Sequence, residues 1–285
     1  MIKNSKSCIL LLIFASVIGC NYSTSDDKSL LKNYDLNGVD NTIIYLPDVL
    51  KEVSGLAYLD ENYLLTHNDE EGIVFKINIK NGEVVSEFSI GEKEIEKDFE
   101  GIAVVKDSVY LVSSNGAIFK FSLLKGGNNI EYEKIKTPLS SKNNVEGLCY
   151  DETTNSLLLA CKDDPGKDYK NNKAVYAFNL THMKFIDKPK FLISLKKLKK
   201  KFDINDFSPS GIEVNPVNGN IFLISANPEV ILELDTEGKI LYAKDLKDKK
   251  HKQPEGITFF MNGGLIIADE ANGQKAKLTL IPFIK

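Results

Sequence analysis

The stretch FEGIAVV, Phe99–Val105, contains a dipeptide and an apolar run that recur along the chain. Glu-Gly precedes an apolar run again in VEGLCYD from Val145 and in PEGITFF from Pro254. Ser-Gly takes the same place in VSGLAYL from Val53 and in PSGIEVN from Pro209. The five dipeptides begin at positions 54, 100, 146, 210 and 255, so their spacings are 46, 46, 64 and 45 residues. Self-similarity at a nearly fixed period predicts a repeat architecture.

Each repeat has the same internal order of short apolar runs and turns. An apolar run follows the dipeptide, then come a turn, a second apolar run, a polar cluster and a third run such as IVFKINI. Four short strands rich in Val, Ile, Leu, Phe and Tyr at a period near 46 are typical of a β-propeller blade. The 64-residue spacing is too short for two blades and is interpreted as one repeat with about 18 inserted residues. The sequence therefore predicts an all-β, five-bladed β-propeller with four-stranded blades.

The last repeat is short, running from Glu255 to Lys285, and it has room for only three strands. The segment NTIIYLP, Asn41 to Pro47, precedes the first repeat and is predicted to supply the missing fourth strand of the last blade. This closure would join the two ends of the chain and cover an exposed sheet edge. The propeller domain is predicted over residues 34–285.

The N-terminus has the pattern of an export signal. A basic start precedes an apolar run from Cys8 to Ile18, shorter than the about 20 residues that a membrane-spanning helix needs. The run ends in VIGC, which looks like a bacterial lipobox with Cys20 as its cysteine. This pattern predicts a lipoprotein signal peptide over 1–19 and lipid, including palmitate, on Cys20. A flexible tether over 20–33 would follow, at the bacterial cell envelope on the periplasmic face or the cell surface. An ordinary secretory signal with an incidental Cys20 is the alternative.

The charge balance of the chain does not indicate a nucleic-acid partner. Lys+Arg number 36 against 40 Asp+Glu, a formal net charge of -4, so no basic excess argues for nucleic acid. The lysine-rich run Leu195–Asp203 is interpreted as a solvated surface segment.

Cys149 and Cys161 flank a predicted hairpin turn and are either two buried thiols or a cross-strand disulfide. The Cys and His spacings do not indicate zinc.

The recurring glutamates predict a cation site. The first strand of each propeller blade lines the central channel, so Glu100, Glu146 and Glu255 are expected to converge at one end of it. Three neighbouring carboxylates repel one another unless a cation or protons balance them. Oxygen ligands from several elements suit calcium, which is therefore the predicted cofactor. Alternatively, the dipeptide is a packing motif whose glycine allows close backbone approach or a positive φ.

A second set of candidates lies at the ends of the predicted second strands. These residues are Asp- and Asn-rich, as turn residues commonly are, but as a group they could line the same channel end. The predicted ligand-binding residues, including the two serines of the dipeptides, are Ser54, Asn68, Asp69, Asp163, Ser210, Asn227 and Asp269.

The ordered motifs LKEVSGLAYLDENYLLTHNDEEGIVFKI, DFEGIAVV, NVEGLCYD, SGIEVNPVNGNIFLISANP and PEGITF, followed by GGLIIADE, resemble the SdiA-regulated domain family. The resemblance covers about Asn41 to Gly273. It implies a five-bladed propeller distantly similar to NHL-repeat propellers, an exported or membrane-anchored bacterial protein, and a calcium site associated with the fold. It implies no established biochemical activity.

Two functions are compatible with these patterns. The chain has no Gly-x-Ser-x-Gly motif and no arguable Ser/His/Asp arrangement, so no catalytic residue is predicted. The first function is a monomeric module, attached to the membrane through Cys20, that binds a small ligand or an envelope protein. The alternative is a calcium-dependent hydrolase of the lactonase or phosphodiesterase kind, in which the channel metal acts as a Lewis acid and His67 is the nearest candidate base.

Overall fold

Twenty strands form five antiparallel four-stranded sheets within the residues that the computed structural model describes, namely 29–69, 71–91, 98–125, 127–246 and 250–284. Strand β1 (Thr42–Tyr45) precedes blade one, which contains β2 (Val53–Tyr58), β3 (Tyr63–Asn68), β4 (Ile73–Asn78) and β5 (Val84–Ser89). Blade two contains β6 (Phe99–Val105), β7 (Ser108–Ser113), β8 (Ile118–Ser122) and β9 (Tyr132–Ile135). Blade three contains β10 (Val145–Asp151), β11 (Ser156–Cys161), β12 (Asn172–Asn179) and β13 (Lys184–Ser194).

A short helix, α1 (Leu195–Phe202), follows blade three and accounts for most of the lysine-rich run. Blade four contains β14 (Pro209–Val214), β15 (Ile221–Ala226), β16 (Glu229–Leu234) and β17 (Ile240–Asp245). Blade five contains β18 (Pro254–Phe259), β19 (Leu265–Asp269) and β20 (Lys277–Ile281), with β1 as its outer strand. The predicted five-bladed β-propeller is confirmed.

The ring closes through the two ends of the chain, as predicted. Strand β1 pairs with β20 in antiparallel register, Thr42 opposite Leu280 and Tyr45 opposite Lys277. The inner strands β2, β6, β10, β14 and β18 contact one another in that order, and β18 contacts β2. The two ends therefore hold each other in place, because blade five is complete only when β1 is paired.

The hydrophobic core lies between neighbouring blades. One buried cluster joins blades three and four and includes Leu158, Ile212 and Leu223. Every residue of β11, SLLLAC, is buried, because sheets of the adjacent blades cover both of its faces. This explains the continuous apolar runs of the sequence, since a strand with one solvated face would alternate. Each fully buried Leu or Ile of these runs stabilises the fold by about 1.5–3 kcal/mol.

The N-terminal segment, residues 29–36, packs against blades four and five. Leu31, Tyr34 and Leu36 are buried in a cluster with residues of both blades. The Tyr34 hydroxyl donates to the Gly263 carbonyl at 2.6 Å. The described residues 29–33, which sequence reasoning assigned to the tether, are therefore part of the folded domain.

The predicted signal peptide and Cys20 lie outside the described residues. Among the residues that are described, none of the helices has the length and apolar character needed to cross a bilayer. Cys149 and Cys161 are both buried free thiols. The strand register places Cys149 opposite Leu158 and Cys161 opposite Val145, so the two cysteines are not cross-strand partners.

Candidate functional site

A β-bulge opens the inner strand of every blade. In blade two, Phe99 pairs with Ser113 and Gly101 with Val112, so Glu100 has no partner in the ladder. The same shift occurs at the other four dipeptides. A bulge redirects the side chain of the extra residue, and its repetition brings one residue from each blade to the same end of the channel. We call this end the acidic mouth; its residues are Ser54, Glu100, Glu146, Ser210 and Glu255.

The glycine of each dipeptide allows neighbouring inner strands to approach closely. A Cβ on Gly101 would lie 2.6 Å from the Leu148 nitrogen, and one on Gly147 would lie 3.1 Å from the Ile212 nitrogen. Both distances are shorter than a relaxed contact between these atoms. The five glycines have no positive φ. Close backbone approach is therefore their role, and of the two interpretations of the glycine the positive-φ one is wrong.

Apolar side chains close the channel below the acidic mouth. Each inner strand places a Leu or Ile directly after its glycine: Leu56, Ile102, Leu148, Ile212 and Ile257. Together with the mouth residues they leave a cavity of only about 10 Å³. Such a volume scarcely holds one water molecule. The acidic mouth is therefore a closed cup, and ligands would have to reach its carboxyls from the open face of the propeller.

Burial and mutual repulsion raise the pKa values of carboxyls in the acidic mouth. Burial, followed by the charges of Glu146, Asp98 and Glu255, raises the pKa of Glu100 to about 10. Burial and the neighbouring Glu146 raise the pKa of Glu255 to about 8. The Ser54 hydroxyl donates to Glu100 Oε2 at 3.4 Å. Both carboxyls therefore hold a proton at neutral pH unless a cation replaces it.

Lys162 places a positive charge inside this acidic group. Its Nζ donates to Glu146 Oε1 at 3.0 Å, and Asn144 Nδ2 donates to the same oxygen at 2.9 Å. Burial opposes the charge of Lys162, but Glu146, Glu255 and Glu100 together raise its pKa. The ammonium is thus a counter-ion supplied by the chain itself. Sequence reasoning missed both Lys162 and Asp98; the signal for Lys162 was its place at the end of a second strand, beside the predicted polar set.

Two of the predicted ligand-binding residues are hydrogen-bonded to other parts of the protein. Ser210 Oγ donates to the Pro254 carbonyl at 2.6 Å and so joins blade four to blade five. The Asp269 carboxyl is fully buried, and its Oδ2 lies 2.8 Å from Nδ1 of the buried His251. The Ser210 hydroxyl is therefore engaged by the backbone, whereas Oδ1 of the buried Asp269 has no hydrogen-bond partner among the described residues.

The other predicted residues spread around the mouth. Asn68 Nδ2 donates to the Val49 carbonyl at 2.8 Å, and burial together with Asp69 raises the pKa of Glu270. Asp163 is among the charges that raise the pKa of Glu146, after burial. Asn227 lines a separate groove of about 680 Å³ that reaches Lys162. The structure therefore brings the three glutamates together but disperses the second set.

His67 is a packing residue between the first two blades. It is fully buried, and its Nε2 lies 2.7 Å from the position that a Cβ on Gly55 would take. Burial lowers its pKa to about 4, so the ring is neutral at physiological pH. An imidazole beneath the backbone of Gly55 cannot reach a substrate at the acidic mouth.

The carboxyls do not form a ready metal site. Across the described ranges, no group of three or more His, Cys, Asp or Glu side chains is arranged to hold a metal ion. The donor chemistry suits calcium, which binds carboxylate and neutral oxygens. However, Lys162 takes up an oxygen of Glu146 that a metal would need. Calcium bound at these residues would therefore be opposed by the charge of Lys162 unless that side chain moved away.

The raised pKa values predict how stability depends on pH. A carboxyl with a raised folded-state pKa binds a proton that the unfolded chain has already lost, so its contribution to stability falls as pH rises from about 4.5 to about 8. Glu255→Gln, which cannot ionise, is expected to remove that fall. The measurement is the difference in free energy of unfolding between the variant and wild type across this range, with chelator present. Using the difference cancels the opposite slope from His67. A difference that is constant with pH would contradict the assignment.

The geometry defines a class of protein: a five-bladed propeller whose channel is closed by apolar side chains and bears an acidic cup on one face. The chain belongs to the SdiA-regulated family, whose model matches residues 29–276. The resemblance inferred from the repeated motifs is thus confirmed. A search of curated proteins found no match.

Solved structures share the fold at low sequence identity. The glutaminyl cyclase of Myxococcus xanthus aligns with a TM-score of 0.54 and 13% identity, over 85% of this chain and 94% of that one. A luciferin-regenerating enzyme aligns with a TM-score of 0.52 and 10% identity, over 85% and 95%. A streptogramin B lyase aligns with a TM-score of 0.44 and 12% identity, over 81% of this chain and 66% of its own length. At these identities the likeness concerns the fold and carries no activity.

Proposed function

We propose that this protein is a binding propeller whose acidic mouth takes a cation, with calcium as the predicted ion, and through it a small ligand or an envelope protein. One observation carries the proposal: the bulges of three blades bring three largely buried carboxyls together, close enough for their charges to raise one another's pKa. A cation bound in place of protons would balance the charges of Glu100, Glu146 and Glu255, which repel one another when they are ionised. The Ser54 hydroxyl would add a neutral oxygen.

Lys162 would set the affinity of this site. Its ammonium already neutralises Glu146, and its charge repels an incoming ion unless the side chain moves away. A site of this kind exchanges one cation for another, and its affinity is lower than that of the same carboxyls without the lysine. Lys162 is only partly buried, and the groove beside it offers space for the displaced side chain.

Calcium-dependent unfolding tests the proposal. A ligand present at a hundredfold excess over its Kd, and bound only to the native state, raises the free energy of unfolding by about 2.7 kcal/mol. We expect calcium to stabilise the wild type, and Lys162→Met to need at least about tenfold less calcium for the same shift because no ammonium competes. Glu100→Gln and Glu146→Gln are expected to lose the shift.

Glu213→Gln is the matched control, since Glu213 is a carboxyl at the opposite end of the channel and its pKa is also raised by burial, to about 8. This variant is expected to keep the calcium response. If neither wild type nor Lys162→Met is stabilised, and elemental analysis finds no bound metal, the proposal is wrong. The Glu-Gly dipeptide would then be a packing motif with Lys162 as its counter-ion.

Binding is favoured over the hydrolase alternative. The Ser54 hydroxyl contacts Glu100 only at 3.4 Å, and the raised pKa of that carboxyl makes it a poor proton acceptor at neutral pH. Ser210 donates to a backbone carbonyl, which is not a base. His67 lies beneath Gly55. Similarity to enzymes of the same fold does not transfer their chemistry.

The path of the chain supports an orientation at the cell envelope. The N-terminal segment contacts Asn215 and Gly263, which follow the inner strands, on the face opposite the acidic mouth. Cys20 precedes Ser29 by nine residues, a span of at most about 30 Å. Lipid on Cys20 would therefore hold that opposite face toward the membrane and leave the acidic mouth facing away.

Membrane fractionation tests the anchor. Cys20→Ser is expected to abolish labelling by radioactive palmitate and to move the protein from the membrane fraction to the soluble fraction, because no lipid remains to hold it. Cys149→Ser is the control, since this thiol is buried, and it is expected to leave the distribution unchanged. A Cys20→Ser protein that stays membrane-bound and labelled would contradict the lipoprotein assignment.

A further inference from the structure

A second pocket opens at the other end of the channel, below the apolar closure. One residue from each inner strand contributes, each three positions after the mouth residue of its blade: Ala57, Ala103, Cys149, Glu213 and Thr258. Four of these residues are small and uncharged. Together with Tyr58, Tyr150, Phe259 and Met261, they line a cavity of about 160 Å³ that we call the far pocket.

Glu213 contributes a carboxyl to the far pocket. Its Oε1 accepts from the Val214 amide at 2.9 Å, and its Oε2 accepts from the Thr258 hydroxyl at 3.2 Å. None of the described residues that line this pocket is a lysine or an arginine. The carboxyl is thus oriented by two neutral donors, and its environment contrasts with that of Glu146, which has Lys162.

The size of the far pocket limits its ligand. Its volume of about 160 Å³ is close to the roughly 150 Å³ of an apolar cavity that accepts benzene. One carboxyl and one hydroxyl are too few oxygens for calcium, which takes six to eight. An anion would be repelled by Glu213 when it is ionised, and no lysine or arginine among the described lining residues would bind it. Aromatic rings beside a carboxyl are instead suited to a cation with an apolar body.

We propose that the far pocket binds a small organic cation, an ammonium or amidinium on an apolar body about one ring in size, with Glu213 as its counter-ion. The cationic head meets the Glu213 carboxylate in a charge-assisted hydrogen bond. Tyr58 and Tyr150 contact the apolar body and the flank of the cation. The site is separate from the acidic mouth because the ring of Leu and Ile side chains lies between them.

Binding in the far pocket is linked to a proton. Burial raises the pKa of Glu213 to about 8, so a cation arriving at neutral pH displaces a proton from this carboxyl. The other titratable groups that line the pocket are Cys149, Tyr58 and Tyr150, and burial raises the pKa of each, which keeps them neutral. The affinity for the cation is therefore expected to increase about tenfold for each unit by which pH rises toward 8. Above pH 8 it is expected to level off.

The test compares benzylammonium with benzyl alcohol, which has the same ring and no charge. The full chain, kept in detergent, is titrated with each probe at pH 8 and at pH 6, and binding is followed by calorimetry. We expect benzylammonium to bind about tenfold or more tightly than the alcohol at pH 8. We also expect uptake of the cation to release a proton at pH 6, seen as a heat that depends on the buffer. Glu213→Gln is expected to abolish both the preference and the proton release.

Glu255→Gln is the control at the acidic mouth and is expected to leave the preference unchanged. If Glu213→Gln does not fold, Thr258→Val serves instead; it removes one donor to Glu213 and is expected to shift the pH dependence to higher pH. Equal binding of the two probes, absence of benzylammonium binding to folded protein, or a preference that survives Glu213→Gln would each overturn the proposal. If Glu255→Gln alone abolished the preference for benzylammonium, the cation would belong to the acidic mouth, and the far-pocket proposal would be wrong.

Discussion

Glu233→Leu is expected to lower the free energy of unfolding by about 3–5 kcal/mol, because it leaves several buried hydrogen-bond donors without an acceptor. Glu233 is fully buried in blade four. Its carboxylate accepts from Ser29 Oγ at 2.6 Å, from the Leu30 and Leu31 amides at 3.0 and 2.8 Å, and from Asn220 Nδ2 at 2.7 Å. Leucine satisfies none of these donors.

The variant is also expected to release the N-terminal segment. Equilibrium unfolding in denaturant measures the loss of stability, and amide hydrogen exchange measures protection over residues 29–36. Glu237→Leu is the matched control, because Glu237 is exposed in the next turn, and it is expected to stay within about 0.5 kcal/mol of wild type. Wild-type stability together with wild-type protection in Glu233→Leu would show that the segment is held by other contacts.

Gly101→Ala is expected to cost about 3 kcal/mol, the upper range for overpacking. The added Cβ would lie 2.6 Å from the Leu148 nitrogen and 2.9 Å from the Leu148 Cβ. Both atoms belong to a strand that is held in its ladder by β11, so this backbone cannot move away without breaking hydrogen bonds. The neighbouring blades would have to separate.

Thermal unfolding measures the effect. For a domain of this size the expected fall in Tm is about 6–12 °C. Gly38→Ala is the control, since its Cβ would lie 3.0 Å from the exposed Asp35 side chain and 3.1 Å from the Asp35 carbonyl oxygen, both longer than the contacts of Gly101 with Leu148. A Tm equal to wild type in Gly101→Ala would mean that the ring of inner strands is wider than this structure has it.

The strand pairing within each blade is local in sequence, and for that reason the fold could be predicted from the repeat. A strand, its turn and the next strand are neighbours in sequence, so a pattern near 46 residues specifies a blade without knowledge of distant contacts. The exception, β1 with β20, was still predictable because the last repeat lacked a strand. The recurrence of Glu-Gly likewise indicated that Glu100, Glu146 and Glu255 share one end of the channel.

The chemistry of the site depended on contacts that no repeat encodes. Lys162 reaches Glu146 across the ends of the paired strands β10 and β11, and no other blade has a lysine at this position, so the repeat does not predict the contact. Glu213 is one of five equivalent positions, and only the packing of Ala57, Ala103 and Cys149 around it leaves a cavity.

The sequence by itself determined the number of blades, their closure and the carboxyls at one mouth, since each follows from spacing along the chain. Only the tertiary structure decided which charges are neutralised and which remain unpaired. Glu233 is satisfied by Ser29, which lies 204 residues away along the chain. Desolvation and Coulomb interaction depend on distances in space. The order of residues along the chain does not give those distances, which are established only when the ring of blades closes.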